Sequence, residues 1–177
     1  MAIGAQSRTF GVMHRFGTIS SKVAGALALL LLTAGCQRTE EFPVEPRIEL
    51  KSFTTHGDSA SLVITFTDGD GDIGLGQGDT LPPYDVAPWF YNLFLDYEEK
   101  QNGVWVRPAL LLPLYYRVPV ITPSGQDKTL EGELAVALTP WPTIPNTPFD
   151  TVRYVVKLVD RALHESNTIT TGPIVLP

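Results

Sequence analysis

Several aspartates stand close together in the sequence, directly behind a run that is typical of a β-strand. Asp68, Asp70 and Asp72 occupy alternate positions in the stretch FTDGDGDIGLGQGD, and Asp79 closes it. Carboxylates placed this close repel one another unless a cation lies between them. Ca²⁺ takes about six to eight oxygen ligands, and the interspersed glycines allow the backbone to curl so that carboxylates and carbonyls converge on one point. The stretch therefore predicts a calcium-binding loop.

The spacing of these residues resembles that of an EF-hand loop. With Asp68 as the first position, Asp70 and Asp72 fall on the third and fifth, the carbonyl of Gly74 on the seventh and Asp79 on the twelfth. This resemblance implies that all five residues contribute oxygen ligands to the ion.

The loop departs from an EF-hand in three respects. Ile73 stands where the EF-hand has a glycine, Asp79 replaces the longer glutamate, and no helical pattern flanks the stretch. We therefore expect a DxDxD calcium loop between strands, with Ile73 and Leu75 pointing into the core. Further oxygen ligands are sought among the remaining aspartates: Asp58, Asp79, Asp85 and, if the fold brings the two ends of the domain together, Asp160.

Three alternatives compete with a cation site. The substring GDGDIG fits the G-x-G-x-x-G fingerprint of dinucleotide-binding proteins, but its aspartates would repel a pyrophosphate and no helical pattern follows. The glycine-rich repeat of repeat toxins is not met, because the stretch occurs only once. A plain solvated turn remains open, since aspartate and glycine are common turn residues.

The rest of the chain offers little for catalysis. His56 and His164 have no second histidine near them, so a transition-metal site is hard to build. No G-x-S-x-G motif is present, and Ser166 lies too near His164 along the chain to form a catalytic triad with it. Paired glutamates on predicted strands usually face water. We therefore predict no catalytic residues and no enzymatic activity.

Recognition of a partner is the more credible second function. Trp141 lies in TPWPTIPNTP, a loop stiffened by four prolines, where a rigid exposed aromatic could stack on a sugar ring or anchor a protein. The alternative, which we favour, is a tryptophan folded back over the end of the core. The aromatic and proline-rich stretch LPPYDVAPWF is interpreted either as a lid beside the aspartate loop or as a surface connection.

The elements that must position these residues are β-strands. Runs of β-branched and aromatic residues alternate with polar ones and are separated by Gly, Pro, Asn and Asp. The predicted strands lie within residues 47–54, 61–67, 89–100, 104–107, 114–120, 130–138, 151–160 and 168–176. In the first of them, Ile48, Leu50 and Ser52 share one face. Asn102-Gly103 predicts a two-residue hairpin turn.

Seven or eight short strands predict an all-β chain folded as a single antiparallel immunoglobulin-like β-sandwich. The final stretch, RYVVKLVDRALHESNTITTGPIVL, resembles the closing hairpin of bacterial immunoglobulin-like domains, in which a strand ending in Asp-Arg-Ala meets a polar turn and a Thr-rich strand. That analogy implies a fold and carries no function by itself.

The N-terminus predicts export. Basic residues precede the apolar run VAGALALLLL, and no acidic residue occurs before Glu40. The run is about half the length needed to cross a bilayer, so residues 1–35 are interpreted as a signal peptide, with Met13 as a second candidate start. LLTAGC resembles a bacterial lipobox, which implies cleavage before Cys36 and attachment of lipid to it, although Thr33 stands where such motifs usually have leucine. Ordinary secretory cleavage that leaves a free thiol is the alternative.

The mature chain combines a short tether with one domain. Residues 36–46 are polar, acidic and proline-bearing and predict a lipidated cysteine followed by a flexible tether, while residues 47–177 form the sandwich. After Cys36 the chain carries ten basic and nineteen acidic residues, a net charge of −9. This charge repels phosphates and excludes nucleic acid and an electrostatic hold on anionic lipid. Acidic residues after Cys36 also resemble the export signal of Bacteroidota lipoproteins for the outer face of the outer membrane.

Taken together, the lipobox, acidic tether, FTDGDGDIG motif and closing hairpin resemble a family of small Bacteroidota lipoproteins. The resemblance implies an outer-membrane lipoprotein of the bacterial cell envelope with an immunoglobulin-like sandwich, and it names no activity. Our hypothesis is a lipid-anchored binding or structural module whose loop is stabilised by Ca²⁺. The alternatives are a glycan-binding accessory lipoprotein of a nutrient uptake system and, third, an envelope hydrolase.

Overall fold

The computed structural model describes residues 42–122 and 128–176. Within these ranges the chain forms nine β-strands and no helix. The strands are β1 (Arg47–His56), β2 (Ser59–Asp68), β3 (Leu93–Gln101), β4 (Val104–Val106), β5 (Leu114–Tyr116), β6 (Leu130–Leu138), β7 (Thr151–Leu158), β8 (Ile169–Thr170) and β9 (Ile174–Val175). The prediction of an all-β chain is confirmed for this part of the protein.

The strands form two antiparallel sheets. The first has the order β1-β2-β6, and the second has the order β4-β3-β7-β8, with β5 also pairing with β3 and β9 with β7. Strands β1, β2 and β6 take the places of A, B and E in an immunoglobulin domain, and β3, β7 and β8 those of C, F and G. The predicted sandwich is confirmed, with nine strands over the described ranges.

The hairpin between β3 and β4 forms where the sequence places it. Asn102 has a φ of 51° and Gly103 a φ of 85°, the two positive angles that a type I′ turn requires. The turn is closed by the pair Gln101 and Val104. Local turn chemistry therefore sets the register of this edge of the second sheet.

The core lies between the two sheets and is filled from alternate positions of the long strands, because successive side chains of a strand point to opposite faces. Its main contributors are Ala60, Leu62, Ile64 and Phe66 from β2, Leu93, Leu95 and Tyr97 from β3, and Val152, Tyr154, Val156 and Leu158 from β7. This strict alternation makes β2 and β7 the two strands whose positions are most firmly specified.

Strand β1 departs from the predicted alternation. Its pairing with β2 shifts between Leu50 and Ser52, which leaves Lys51 as an extra residue. Such a bulge reverses the faces that follow it, so that Phe53 packs against the core. Leu50, which precedes the bulge, is exposed. Of the face predicted for this strand, only Ile48 is fully buried.

The segment before β1 contacts the domain. Residues 1–41, including the predicted signal peptide and Cys36, lie outside the described residues. The backbone N–H of Gly69 donates a 2.8 Å hydrogen bond to the carbonyl of Pro43, and Pro46 is buried. The second half of the segment expected to be a tether is therefore packed against the aspartate loop. Over the described ranges, no helix has the length and apolar character needed to cross a membrane.

Candidate metal centre

Asp68 is buried because of its place on β2. It is the last residue of the strand and follows Leu62, Ile64 and Phe66 on the face that points into the core. Its exposed fraction is 0%. The alternation that buries the apolar residues of β2 therefore also carries one carboxylate inside the sandwich.

Asp72 returns to Asp68 through a tight turn. Gly71 has a φ of 67°, and a Cβ at this position would lie 1.7 Å from the carbonyl oxygen of Lys128. The turn brings the N–H of Asp72 to Oδ2 of Asp68, to which it donates a 3.0 Å hydrogen bond. Ile73 and Leu75 beyond it are buried, which confirms that they anchor the loop in the core.

The loop after β2 is joined to the chain after β7. Asp160, two residues beyond the end of β7, is 1% exposed. The N–H of Ala162 donates a 3.0 Å hydrogen bond to Oδ2 of Asp72, and the N–H of Arg161 donates one of 3.3 Å to the carbonyl of Asp72. These bonds connect the two sheets at one end of the sandwich.

Four carboxylates converge at this junction. One oxygen from each of Asp68, Asp70, Asp72 and Asp160 lies within 4.8 Å of the corresponding oxygens of the others. Asp70 is exposed and closes the cluster on the solvent side, whereas Asp68 and Asp160 form its buried floor. We call these four residues the aspartate cluster. It could hold a metal ion.

The electrostatics of the cluster are unfavourable without a cation. Burial, together with the charges of Asp70, Asp72 and Asp160, raises the pKa of Asp68 to about 7, against the lowering effect of the hydrogen bond from the Asp72 N–H. Burial also raises the pKa of Asp72, followed by the charges of Asp160 and Asp70. In both cases the carboxylate is deprived of water and surrounded by like charge.

Two oxygens of the cluster are buried without a partner. Within the described part of the chain, Oδ1 of Asp68 and Oδ1 of Asp72 have no hydrogen-bond donor. Buried polar atoms are almost always satisfied, because an unpaired one retains the cost of its lost hydration. Both residues are members of the aspartate cluster, in which one oxygen of each carboxylate converges within 4.8 Å. The donor set therefore fits a cation that both oxygens would coordinate.

His164 supports the buried floor of the cluster. Its backbone N–H donates a 2.8 Å hydrogen bond to Oδ1 of Asp160, and its ring Nδ1 lies 2.8 Å from Oδ2 of the same carboxylate. The hydrogen bond to Asp160 and the charge of that carboxylate raise the pKa of His164. The histidine that the sequence left without a role thus orients one of the four carboxylates.

The other two residues of the EF-hand comparison, Gly74 and Asp79, are held by Arg161. The carbonyl of Gly74 accepts a 3.1 Å hydrogen bond from Nη2 of Arg161. Oδ2 of Asp79 accepts a 2.7 Å hydrogen bond from the N–H of Gly76 and lies 3.6 Å from the same Nη2. Neither residue belongs to the aspartate cluster. Both instead contact the guanidinium of Arg161, which holds this part of the loop. The EF-hand spacing therefore describes three of the four carboxylates that converge.

The remaining candidate aspartates lie elsewhere. Asp58 is exposed in the turn between β1 and β2, at the opposite end of the sandwich from the cluster, and Asp85 is exposed in the loop before β3. Asp160 was expected only if the fold brought the two ends of the domain together, and the fold does so. One feature of the sequence could have identified Asp160. Like Asp68, it lies at the C-terminal end of a stretch in which apolar and polar residues alternate.

Trp141 does not present a binding surface. It is 5% exposed, and its ring centroid lies 5.3 Å from that of Phe53 and 6.2 Å from that of Tyr154. Its backbone N–H donates a 2.7 Å hydrogen bond to the carbonyl of Asp58. The structure thus places it over the end of the core. The burial of Trp141 agrees with the favoured prediction and argues against the alternative, a ligand contact at Trp141.

Comparisons with known proteins add no relative: no family model, no curated protein and no solved structure matches this chain.

Proposed function

We propose that this protein is a calcium-stabilised β-sandwich module, anchored by lipid on Cys36 to the outer membrane of a bacterial cell envelope, where it binds a protein or glycan partner or serves a structural role. The observation that carries the calcium assignment is the buried Oδ1 of Asp68, which has no hydrogen-bond partner among the described residues and belongs to a carboxylate clustered with three others. A fully buried carboxylate in such a position needs a compensating positive charge.

The donor set favours calcium among the metals. All four members of the cluster are carboxylates, which are hard oxygen ligands suited to Ca²⁺, Mg²⁺ and Mn²⁺. Mg²⁺ demands near-ideal octahedral geometry, whereas Ca²⁺ accepts irregular coordination with about six to eight oxygens. The cluster draws ligands from a turn, a strand end and a second strand end, which is an irregular arrangement.

The ion would act as a clamp between the sheets. Asp68 belongs to the first sheet and Asp160 follows β7 of the second, while Asp70 and Asp72 lie in the loop that crosses between them. A bound cation replaces their mutual repulsion by attraction to a common centre. It would therefore hold the loop and the turn after β7 together and fix the surface around them.

The envelope assignment is supported by the sequence. The lipobox at Cys36, the signal before it and the acidic chain after it favour a protein held at the membrane by lipid rather than by charge. The predicted absence of enzymatic activity and of a nucleic-acid partner stays a prediction. The glycan-binding alternative loses its main support, because Trp141 is buried.

A calcium titration of thermal unfolding tests this proposal. The protein with Cys36→Ser is compared in EGTA and in calcium. A ligand at about 100 times its dissociation constant adds about 2.7 kcal/mol to the unfolding free energy, a shift of several degrees for a domain of this size. Asp70→Asn should remove the shift, whereas the matched control Asp85→Asn should keep it. Identical melting curves of the Cys36→Ser protein with and without calcium would contradict the proposal that a calcium ion joins the two sheets.

A further inference from the structure

The chain enters the sandwich at the end that carries the aspartate cluster. Strand β1 begins there at Arg47, which pairs with Thr67 next to the end of β2. The preceding residues contact the aspartate loop itself, since the carbonyl of Pro43 accepts the hydrogen bond from Gly69. A Cβ on Gly69 would lie 2.2 Å from the carbonyl oxygen of Phe42, so the two segments are in direct contact. The described residues before β1 therefore lie at the cluster end of the domain.

The loop of residues 80–91, which lies between the aspartate loop and β3, is held at the same end. The hydroxyl of Tyr84 donates a hydrogen bond to the carbonyl of Arg161, one residue after the cluster member Asp160. Arg117 donates a 2.7 Å hydrogen bond to the carbonyl of Phe90 and one of 2.8 Å to the carbonyl of Asp79. Both ends of this loop are therefore fixed to the frame around the cluster.

This loop presents apolar side chains to solvent. Leu81, Val86 and Phe90 are all exposed, with Val86 at 63%. Isolated exposed apolar residues are ordinary, but several on one loop mark a surface that contacts another apolar phase. Hydrogen bonds hold this loop to the cluster end of the domain. The three side chains are nevertheless exposed, so their exposure requires an explanation.

We propose that the loop of residues 80–91 rests against the bilayer to which the protein is anchored, with Leu81, Val86 and Phe90 at the boundary between headgroups and acyl chains. The inference rests on the lipid anchor of the proposed function. Phe42 is six residues after Cys36, a separation of at most about 20 Å in a fully extended chain. A ten-residue strand such as β2 spans about 33 Å. The anchored chain is therefore too short to place the opposite end of an upright sandwich on the membrane.

The charge at this end selects the kind of lipid surface. Asp85 is exposed next to Val86 in the chain, and Asp70 is exposed in the aspartate loop. The guanidinium groups of Arg117 and Arg161 are engaged by backbone carbonyls and Asp79. Such a surface is repelled by anionic headgroups. The partner is accordingly a zwitterionic lipid surface, entered by apolar side chains as in other interfacial anchors.

A matched pair of valines tests the proposal. Val86 in the loop and Val104 in β4 at the far end are 63% and 64% exposed. Cys36 is the only cysteine and is blocked by its lipid, so Val86→Cys or Val104→Cys carries a single fluorescent label. The lipidated protein is placed in phosphatidylcholine vesicles with or without brominated acyl chains. We expect brominated lipid to quench the label at position 86 and to leave the label at position 104 unchanged.

Two further measurements separate the failure of this inference from that of the anchor. Mass spectrometry of the Cys36 peptide shows whether lipid is attached, and its absence would overturn both proposals. If lipid is attached but the label at position 86 is not quenched, or both labels are quenched equally, the loop proposal alone is wrong. In the Val86→Cys background, Leu81→Ser with Phe90→Ser should weaken quenching. Leu111→Ser, which changes a 99% exposed leucine elsewhere, should not.

Discussion

The backbone N–H of Ala162 donates a 3.0 Å hydrogen bond to Oδ2 of Asp72 across 90 residues of sequence. This bond places the turn after β7 against the loop after β2 and brings Asp160 to the other three carboxylates. Oδ1 of Asp72, the other oxygen of this carboxylate, is buried and has no donor among the described residues. One carboxylate thus joins the two sheets through one oxygen and offers the other to a cation.

Removing the buried charge should stabilise the metal-free protein. Asp68→Asn keeps the shape of the side chain but abolishes a carboxylate that is fully buried among like charges. We expect the unfolding free energy in EGTA at pH 7.5 to rise by about 2 kcal/mol, because an uncompensated buried charge is costly. The gain from calcium should disappear in the same variant. Chemical denaturation measures both quantities, with Asp58→Asn at the far end as control. A lower unfolding free energy of Asp68→Asn in EGTA would contradict the inference that the charge of Asp68 destabilises the metal-free protein.

The metal-free protein should become less stable as the pH rises. The pKa of Asp68 is raised from 3.8 to about 7 in the folded state, so between these values the folded protein holds a proton that the unfolded chain releases. The contribution of Asp68 to the unfolding free energy is fully present below about pH 4 and is lost as the pH rises to 7 and above. The full loss is about 4 kcal/mol.

Denaturation in calcium-free buffer at pH 5 and pH 7.5 measures this dependence as the difference between the wild-type protein and Asp68→Asn, which lacks the titrating group. Saturating calcium should flatten it, since the ion then compensates the charge. Parallel pH profiles of the two proteins without calcium would refute the assignment.

The aspartate loop should tolerate no side chain at Gly71. Gly71→Ala places a methyl group 1.7 Å from the carbonyl of Lys128 in addition to the strain of a φ of 67°. Gly57→Ala is the matched control: its φ is 61°, and its Cβ meets no atom of the described residues within 4 Å. We expect a loss of about 1 kcal/mol for Gly57→Ala from backbone strain alone. Gly71→Ala should lose roughly 3 kcal/mol or more together with its response to calcium. Equal melting temperatures for the two variants would show that the loop can move away.

Trp141 should matter for stability and not for calcium. Trp141→Ala removes a buried ring packed on Phe53 and Tyr154 and should cost about 3–5 kcal/mol. The partly exposed Trp105 contacts the guanidinium of Arg153 at 4.3 Å, and Trp105→Ala should cost about 1 kcal/mol. Thermal melts with and without calcium measure both effects. Because Trp141 lies at the opposite end from the cluster, a calcium shift of unchanged size is expected in each variant.

The sequence by itself determined the elements that depend on near neighbours. Alternation along β2 and β7 requires only that one face be apolar, so both strands could be predicted directly from the sequence. Asn102-Gly103 specified its turn because positive φ angles are a local property. The clustering of Asp68, Asp70 and Asp72 likewise follows from their spacing. The bulge at Lys51 could not be read in this way, because it is set by pairing with β2.

Tertiary structure alone decided which distant groups complete the cluster. The sequence predicted Asp79 as a ligand and Asp160 only on condition that the fold joined the two ends, yet the fold brings Asp160 into the cluster, while Arg161 engages Asp79. Burial likewise depends on contacts between sheets, so only the fold could show that Trp141 is covered and that Asp68 has lost its water. A sequence pattern records the chemistry that is available, whereas desolvation and convergence arise from surfaces that meet only when the chain is folded.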